Sequence, residues 1–145
     1  MTDRTILLVE DNPDDEILTL RELKKNHLGN EVVVIRDGIE ALDYLFCTGK
    51  YSDRDPDSMP ELTLLDLRLP KVDGIGVLRK IRQNERTRLL PVVVLTSSNS
   101  DRDLVDSYAY GACSYIRKPV DMKQFVEAVR ALGLYLVVLN EIPQP

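Results

Sequence analysis

The stretch LTLLDLRLPKVDG, residues 62 to 74, decides how the rest of the chain is interpreted. Four of its first six residues are leucines, which is typical of a strand that lies in a parallel sheet covered on both faces. Asp66 interrupts this apolar run. Because an unpaired carboxylate is costly to bury, the sequence predicts that Asp66 has a charged partner and a chemical role.

Apolar runs of strand length recur on either side of this stretch, and segments with helical periodicity lie between them. The predicted strands are TILLV (5–9), VVVI (32–35), LTLLDL (62–67), PVVVLT (91–96) and CSYIR (113–117). The predicted helices are residues 17–28, 39–47, 77–84 and 103–112, with a fifth that begins near Asp121 and runs through FVEAVRALGLYLVVL. Such alternation predicts a parallel sheet with helices on both faces. Residues 48–61, TGKYSDRDPDSMPE, are predicted to form an extended surface loop.

Length and composition favour one domain that works in the cytoplasm. The 145 residues suffice for a single core, and no apolar stretch is long enough to anchor the chain in a membrane. The N-terminus MTDRTILLVE lacks the pattern of a secretory signal. A net charge of −5 without a basic stripe argues against binding of nucleic acid. One histidine and two cysteines without CxxC spacing are too few for a structural zinc site.

Polar residues stand at the carboxyl ends of four predicted strands. Glu10 and Asp11 follow the first strand, Asp66 lies near the end of the third, Thr96 ends the fourth, and Lys118 follows the fifth. Ligands of doubly wound sheets bind at this edge. Three converging carboxylates repel one another unless a cation joins them, and their oxygens suit Mg²⁺, or Mn²⁺ in its place. The ammonium of Lys118 and the hydroxyl of Thr96 predict a site for a phosphoryl group on a carboxylate.

Taken singly, most of these residues have an ordinary structural explanation. Acidic residues after a strand often cap the next helix or face water, and a Lys-Pro pair usually marks a turn. Their occurrence together at four strand ends is what favours a site. Asp14 and Asp15 are interpreted only as acids of the first helical turn, and His27 as a solvated residue near the end of that helix.

Four segments resemble the motifs of the receiver domains of two-component response regulators. They are VEDNPDD (9–15), LLDLRLPKVDG (64–74), VVLTSSN (93–99) and YIRKP (115–119), in the order that the family has them. The resemblance implies one receiver domain over residues 1–145 with a flavodoxin-like (βα)5 fold, a three-layer sandwich with strand order 2-1-3-4-5. It also implies a signalling protein rather than an enzyme. Such a protein takes a phosphoryl group from a sensor histidine kinase and catalyses only its own phosphorylation and hydrolysis.

The resemblance assigns roles to the residues around the predicted site. Asp66 is the expected phosphoacceptor, and Asp11 is an expected direct ligand of Mg²⁺. Glu10 is expected to support the ion, and Arg68 to supply its backbone carbonyl as a further ligand. Lys118 is expected to contact the phosphoryl group, and its peptide bond to Pro119 is expected to be cis.

Thr96 and Tyr115 match the switch pair of the family. When Asp66 is phosphorylated, Thr96 is expected to move toward the new oxygens, and the ring of Tyr115 to fill the space that is vacated. The movement would change the face formed by helix 4, strand 5 and helix 5, which is the expected output surface. Arg68 and Ser98 are expected to tune hydrolysis of the phosphoryl group.

The C-terminal extension, residues 132–145, carries apolar residues on nearly every side of a predicted helix. A helix that is apolar all round is normally buried, so we expect a homodimer through this tail and the face of helix 4, strand 5 and helix 5. The long loop before strand 3 and this extension resemble the stand-alone response regulators of cyanobacterial and bacterial phytochromes. That resemblance implies a light-regulated histidine kinase as the partner.

Three other classes of protein are weighed as alternatives. A phosphatase of the haloacid dehalogenase type also has a nucleophilic aspartate after an apolar strand, but it needs a second acid where Arg68 stands. A nucleotide-binding module needs a glycine-rich loop after the first strand, where the sequence is EDNPDD. A receiver-like interaction module that is never phosphorylated would not need the complete set of acceptor-site residues.

Overall fold

The computed structural model describes residues 5–25, 31–97, 106, 109–111, 114–118, 123, 124 and 127. Its strands are β1 (Thr5–Val9), β2 (Glu31–Ile35), β3 (Leu62–Asp66), β4 (Val92–Thr96) and β5 (Ser114–Arg117). Its α-helices with described bounds are α1 (Pro13–Lys25), α2 (Gly38–Phe46) and α3 (Gly74–Gln83), and a short 3-10 helix spans Gly49–Tyr51. Helical residues also occur where the fourth and fifth helices are predicted: Asp106, Ala109, Lys123, Gln124 and Glu127. The extension 132–145 and most of the predicted dimer face lie outside the described residues.

The five strands form one parallel sheet in the order β2-β1-β3-β4-β5. This order confirms the predicted flavodoxin-like fold. The chain moves outward from β1 to β2 and then returns to place β3 on the other side of β1, so a crevice opens beyond the carboxyl ends of β1 and β3. Glu10 directly follows β1 and Asp66 ends β3, and the topology therefore brings these two carboxylates to the same crevice.

The sheet is buried on both faces. Alternate strand residues such as Leu7, Leu65 and Val94 pack with α2 and α3 in one apolar cluster. The residues between them, such as Leu8 and Leu64, are fully buried as well and face the other side. This accounts for the continuous apolar strands in the sequence. Among the described helices, none is both long enough and apolar enough to cross a membrane.

Helix α1 begins at Pro13, four residues before the apolar segment 17–28, and its first turn contains Asp14 and Asp15 as predicted. Asn12 is the cap, because its side-chain oxygen accepts hydrogen bonds from the N–H groups of Asp14 at 2.9 Å and Asp15 at 3.1 Å. Proline is favoured at the first helical position, where its missing N–H costs nothing. The apolar periodicity begins only at Ile17, which is itself half exposed, so it does not mark Pro13 as the first residue of the helix.

Helix α3 begins at Gly74, three residues before the apolar segment 77–84, because the carboxylate of Asp73 caps it through the N–H of Gly76 at 2.9 Å. Gly74 lies directly against the end of β3. A Cβ atom at this position would stand 2.3 Å from the carbonyl oxygen of Asp66, so only glycine fits. The N–H of Gly74 donates to the carbonyl of Leu67 at 3.0 Å, and this contact fixes the backbone that carries Asp66.

The loop of residues 48–61 folds back onto α2. The guanidinium of Arg54 stacks on the ring of Tyr44 at 3.9 Å from its centroid. The same side chain donates hydrogen bonds to the carbonyls of Tyr44 and Ser58, each at 3.0 Å. The predicted loop is therefore present, and one arginine fastens it to the helix that precedes it.

Candidate phosphoacceptor and metal site

Three carboxylates meet in the crevice between β1 and β3. One oxygen from each of Glu10, Asp11 and Asp66 lies within 4.8 Å of the others. Glu10 is fully buried, Asp66 is 3% exposed and Asp11 is exposed at the opening. β1 and β3 are hydrogen-bonded neighbours, with Val9 beside Leu65, and this pairing brings the ends of the two strands together. The structure thus places the three predicted acids in one cluster.

Lys118 reaches into this cluster from the residue after β5. Its Nζ atom lies 2.5 Å from Glu10 Oε1, 2.9 Å from Asp15 Oδ2 and 3.0 Å from Asp66 Oδ2. Its side chain is only 7% exposed. Lys118 thus donates hydrogen bonds to Asp15 and Asp66 and forms a close ion pair with Glu10. Sequence reasoning predicted Lys118 and Asp66 at this site but missed Asp15.

The signal for Asp15 was present in the sequence. With Asn12 as the cap and Pro13 as the first helical residue, Asp15 is the third residue of α1. Successive helical residues are about 100° apart, so Asp14 and Asp15 point in different directions. Asp14 is exposed, whereas Asp15 faces the crevice and bonds Lys118. The apolar pattern begins only at residue 17, so it did not show which of the two acids faces the crevice.

Both oxygens of Asp66 have partners. Oδ2 accepts a hydrogen bond from Lys118 at 3.0 Å, and Oδ1 accepts one from the backbone N–H of Arg68 at 3.1 Å. The side chain of Arg68 is exposed at the mouth of the site. These two bonds hold the carboxylate in one orientation at the end of β3.

One lysine does not balance the negative charge of the cluster. Burial, followed by a hydrogen bond to Asp66, raises the pKa of Glu10 to about 8, although Lys118 opposes the shift. Burial alone would lower the pKa of Lys118, but its hydrogen bonds to Glu10, Asp15 and Asp66 raise it above the ordinary value. Glu10 therefore requires either a proton or a second cation. The oxygen ligands and the excess of negative charge fit a divalent ion such as Mg²⁺.

The cluster opens into a cavity of about 400 Å³, which has room for a phosphoryl group and the ion. The residues that line it come from β1, α1, β3, β4 and β5 or follow them directly: Asp11, Asn12, Pro13, Asp15, Asp66, Arg68, Ser97 and Lys118. All of them lie at the carboxyl edge of the sheet, where doubly wound folds bind their ligands. Ser97 was not singled out from the sequence.

The predicted switch residues lie on the two strands next to the cluster. Thr96 ends β4 and is in register with Arg117. The structure describes its backbone but not its side chain. Tyr115 on β5 is half buried and packs against the apolar cluster under α2 and α3. The predictions for Ser98 and for the cis peptide bond at Pro119 also lie outside the described residues.

Replacing Asp11 by asparagine should weaken magnesium binding at least tenfold, because this change removes the exposed carboxylate of a cluster that has few other ligands. The rise in melting temperature with increasing Mg²⁺ measures the affinity. The matched control is Asp14→Asn, which removes the same charge from an exposed residue three positions away that does not line the cavity. Equal affinity in both variants would contradict the assignment of Asp11.

Comparison with protein families matches residues 6–130 to the model described as the response regulator receiver domain. A curated relative, the probable methanogenesis regulatory protein FilR2 of Methanothrix harundinacea, is 41% identical over 140 residues, which are 97% of this chain and 88% of FilR2. The response regulator Rcp1 of a Synechocystis strain is 37% identical over 140 residues, 97% of this chain and 93% of Rcp1.

Solved structures agree with this match. The bacteriophytochrome response regulator AtBRR is 53% identical, with a TM-score of 0.83 over 90% of this chain and 93% of that one. The phosphorylated cyanobacterial phytochrome response regulator RcpA is 36% identical, with a TM-score of 0.76 over 99% of both chains. The Mn²⁺-bound form of Rcp1 is 35% identical, with a TM-score of 0.75 over 97% of this chain and 98% of that one.

Proposed function

The chain belongs to the family of response regulator receiver domains, and from this premise we propose that Asp66 accepts a phosphoryl group from a sensor histidine kinase. The observation that carries the proposal is the placement of Asp66. It is a buried carboxylate at the end of β3, and it is held by Lys118 and the backbone of Arg68 beside two further acids. A buried aspartate so arranged is suited to act as a nucleophile toward phosphorus.

The residues of the site divide the chemistry between them. An oxygen of Asp66 forms the new bond to phosphorus while the bond from phosphorus to the leaving group breaks. Lys118 offsets the charge of the phosphoryl oxygens as the two negative groups approach. A divalent ion held by Glu10, Asp11 and Asp66, with the carbonyl of Arg68 as a further ligand, would supply the remaining positive charge. The chain therefore catalyses only its own phosphorylation and hydrolysis, as a signalling protein rather than an enzyme with a separate substrate.

We propose that Thr96 and Tyr115 carry the signal away from Asp66. Thr96 ends the strand next to β3, and Tyr115 lies on the following strand. A hydroxyl that moves toward the phosphoryl oxygens would vacate space for the ring of Tyr115. This movement would change the packing of the face formed by helix 4, β5 and helix 5. Two copies of the chain would associate through this face and through residues 132–145.

The proposed partner is a histidine kinase of the phytochrome type in the cytoplasm. Support comes from AtBRR and RcpA, which are response regulators of a bacteriophytochrome and of a cyanobacterial phytochrome and which match 90% and 99% of this chain. In this proposal residues 1–145 form one receiver domain that acts through partners, without binding nucleic acid or a membrane. FilR2, a probable methanogenesis regulatory protein, is also 41% identical to this chain. A histidine kinase that responds to another stimulus is therefore the alternative partner.

The test is phosphorylation of the purified chain by acetyl phosphate, followed by intact mass. The expected result is a gain of one phosphoryl group that depends on Mg²⁺ and disappears when EDTA is present, because the ion offsets charge in the acceptor site. Size-exclusion chromatography of the same samples shows whether assembly changes. No gain of mass at saturating Mg²⁺ would contradict the proposal and favour an interaction module that is not phosphorylated.

A further inference from the structure

Asp15 is the one carboxylate partner of Lys118 to which the receiver motifs give no role. Its Oδ2 atom nevertheless lies 2.9 Å from Lys118 Nζ, and the residue lines the cavity in front of Asp66. The three carboxylate partners of Lys118 differ in their exposure. The side chains of Glu10 and Asp66 are 0% and 4% exposed, whereas that of Asp15 is 30% exposed.

Because Asp15 is more exposed than Glu10 and Asp66, a molecule that enters from solvent meets the carboxylate of Asp15 first. Glu10 and Asp66 already hold the ammonium group from inside the protein, at 2.5 Å and 3.0 Å. The N–H of Lys118 that is directed at Asp15 is therefore the one on the solvent side. A phosphodonor is an anion that enters from solvent, and it must displace the carboxylate of Asp15 before it can pair with Lys118.

We propose that Asp15 is a positioning residue that covers Lys118 and slows the uptake of phosphoryl groups from anionic donors. The inference rests on the proposed function. Asp15 acts through Lys118 in two ways: it occupies the donor that the phosphoryl group needs, and it adds a negative charge at the opening of the cavity. A donor must overcome both effects, and donors with more negative charge are slowed more.

Asp14→Asn is the control for Asp15→Asn. Both residues lie in the first turn of α1, and the N–H groups of both are capped by the same oxygen of Asn12, at 2.9 Å and 3.1 Å. Either substitution removes one charge from the same helix end. The two variants differ in one contact, because Asp15 bonds Lys118 whereas Asp14 is exposed. Asp15→Glu keeps the charge and tests whether a longer carboxylate restores the effect.

The experiment measures the initial rate of mass gain at saturating Mg²⁺ with two donors, acetyl phosphate and the less negatively charged phosphoramidate. With acetyl phosphate, Asp15→Asn should react about three- to tenfold faster than the wild-type chain, as expected for removal of one partly solvated charge. The acceleration should be smaller with phosphoramidate and should shrink as salt is added. Asp14→Asn and Asp15→Glu should both stay near the wild-type rate.

Other outcomes would overturn the inference. A rate for Asp15→Asn that equals that of Asp14→Asn, or that falls below the wild-type rate, would contradict a covering role. An acceleration that is the same with both donors and at all salt concentrations would contradict the electrostatic cause. In each of these cases the wild-type chain is still phosphorylated and the proposed function stands. If none of the four proteins gains mass, the proposed function fails, and the inference fails with it.

Discussion

Asp66→Asn should abolish the phosphoryl gain while leaving the chain folded. Asparagine has the same shape, and its side-chain oxygen can still accept the hydrogen bond from the N–H of Arg68 that Asp66 Oδ1 accepts at 3.1 Å. The amide is not a nucleophile toward phosphorus at neutral pH, so the rate of mass gain should fall below detection. The substitution also relieves repulsion between two buried carboxylates, because Glu10 then lies beside a neutral group.

Two measurements on the same samples separate the loss of the acceptor from loss of the fold. The melting temperature of Asp66→Asn without Mg²⁺ should equal or exceed that of the wild-type chain, since Lys118 keeps Glu10 and Asp15 as partners. Asp14→Asn should gain a phosphoryl group as the wild-type chain does. If Asp66→Asn gained mass at the wild-type rate, the acceptor would be another residue, and the proposed role of Asp66 would be wrong.

The sequence was sufficient to predict the carboxyl edge of the sheet. The strands of this fold are continuous apolar runs, so their ends are visible as the points where Glu10, Asp66 and Lys118 appear. A parallel sheet brings such ends to one edge, and the structure places these three side chains in contact around one ammonium group. The continuous apolar runs and the cost of buried charge were enough for this part of the site.

Contacts that depend on side-chain capping were not predicted. Asp15 reaches Lys118 because α1, capped by Asn12, begins at Pro13, four residues before the apolar periodicity. A hydrogen bond from a cap to a backbone N–H leaves no trace in the hydrophobic pattern. Arg54 fastens the loop before β3 to Tyr44, ten residues earlier. Stacking between a loop residue and a helix residue ten positions earlier depends on the path of the loop, and the hydrophobic periodicity carries no information about that path.

Lys118→Met should destabilise the chain strongly in the absence of magnesium. The substitution keeps an unbranched side chain of similar length but removes the cation that lies within 3.0 Å of three carboxylates. Two of those carboxylates, Glu10 and Asp66, are almost completely buried and would lose their positive partner. Removing one member of a buried ion pair typically costs about 3–5 kcal/mol, because a charge is left buried without compensation.

The control is Lys71→Met, which removes the same charge from an exposed lysine 3.6 Å from Asp37. Surface pairs of this kind contribute about 0–1 kcal/mol, so the melting temperature of this variant should stay close to that of the wild-type chain. For a domain of this size, a loss of about 3 kcal/mol should lower the melting temperature of Lys118→Met by roughly 6–12 °C in EDTA. Thermal unfolding of the three proteins in EDTA measures the difference.

The effect of Mg²⁺ on the melting temperature then shows whether Lys118→Met is destabilised by lost charge or by lost packing. If the carboxylates destabilise Lys118→Met through their charge, a divalent ion between Glu10, Asp11 and Asp66 supplies much of what the lysine supplied. Saturating Mg²⁺ should therefore raise the melting temperature of Lys118→Met by more than that of the wild-type chain or of Lys71→Met. An equal rise in all three proteins would mean that Lys118 stabilises the site by packing, and that charge balance is not what couples this lysine to the metal.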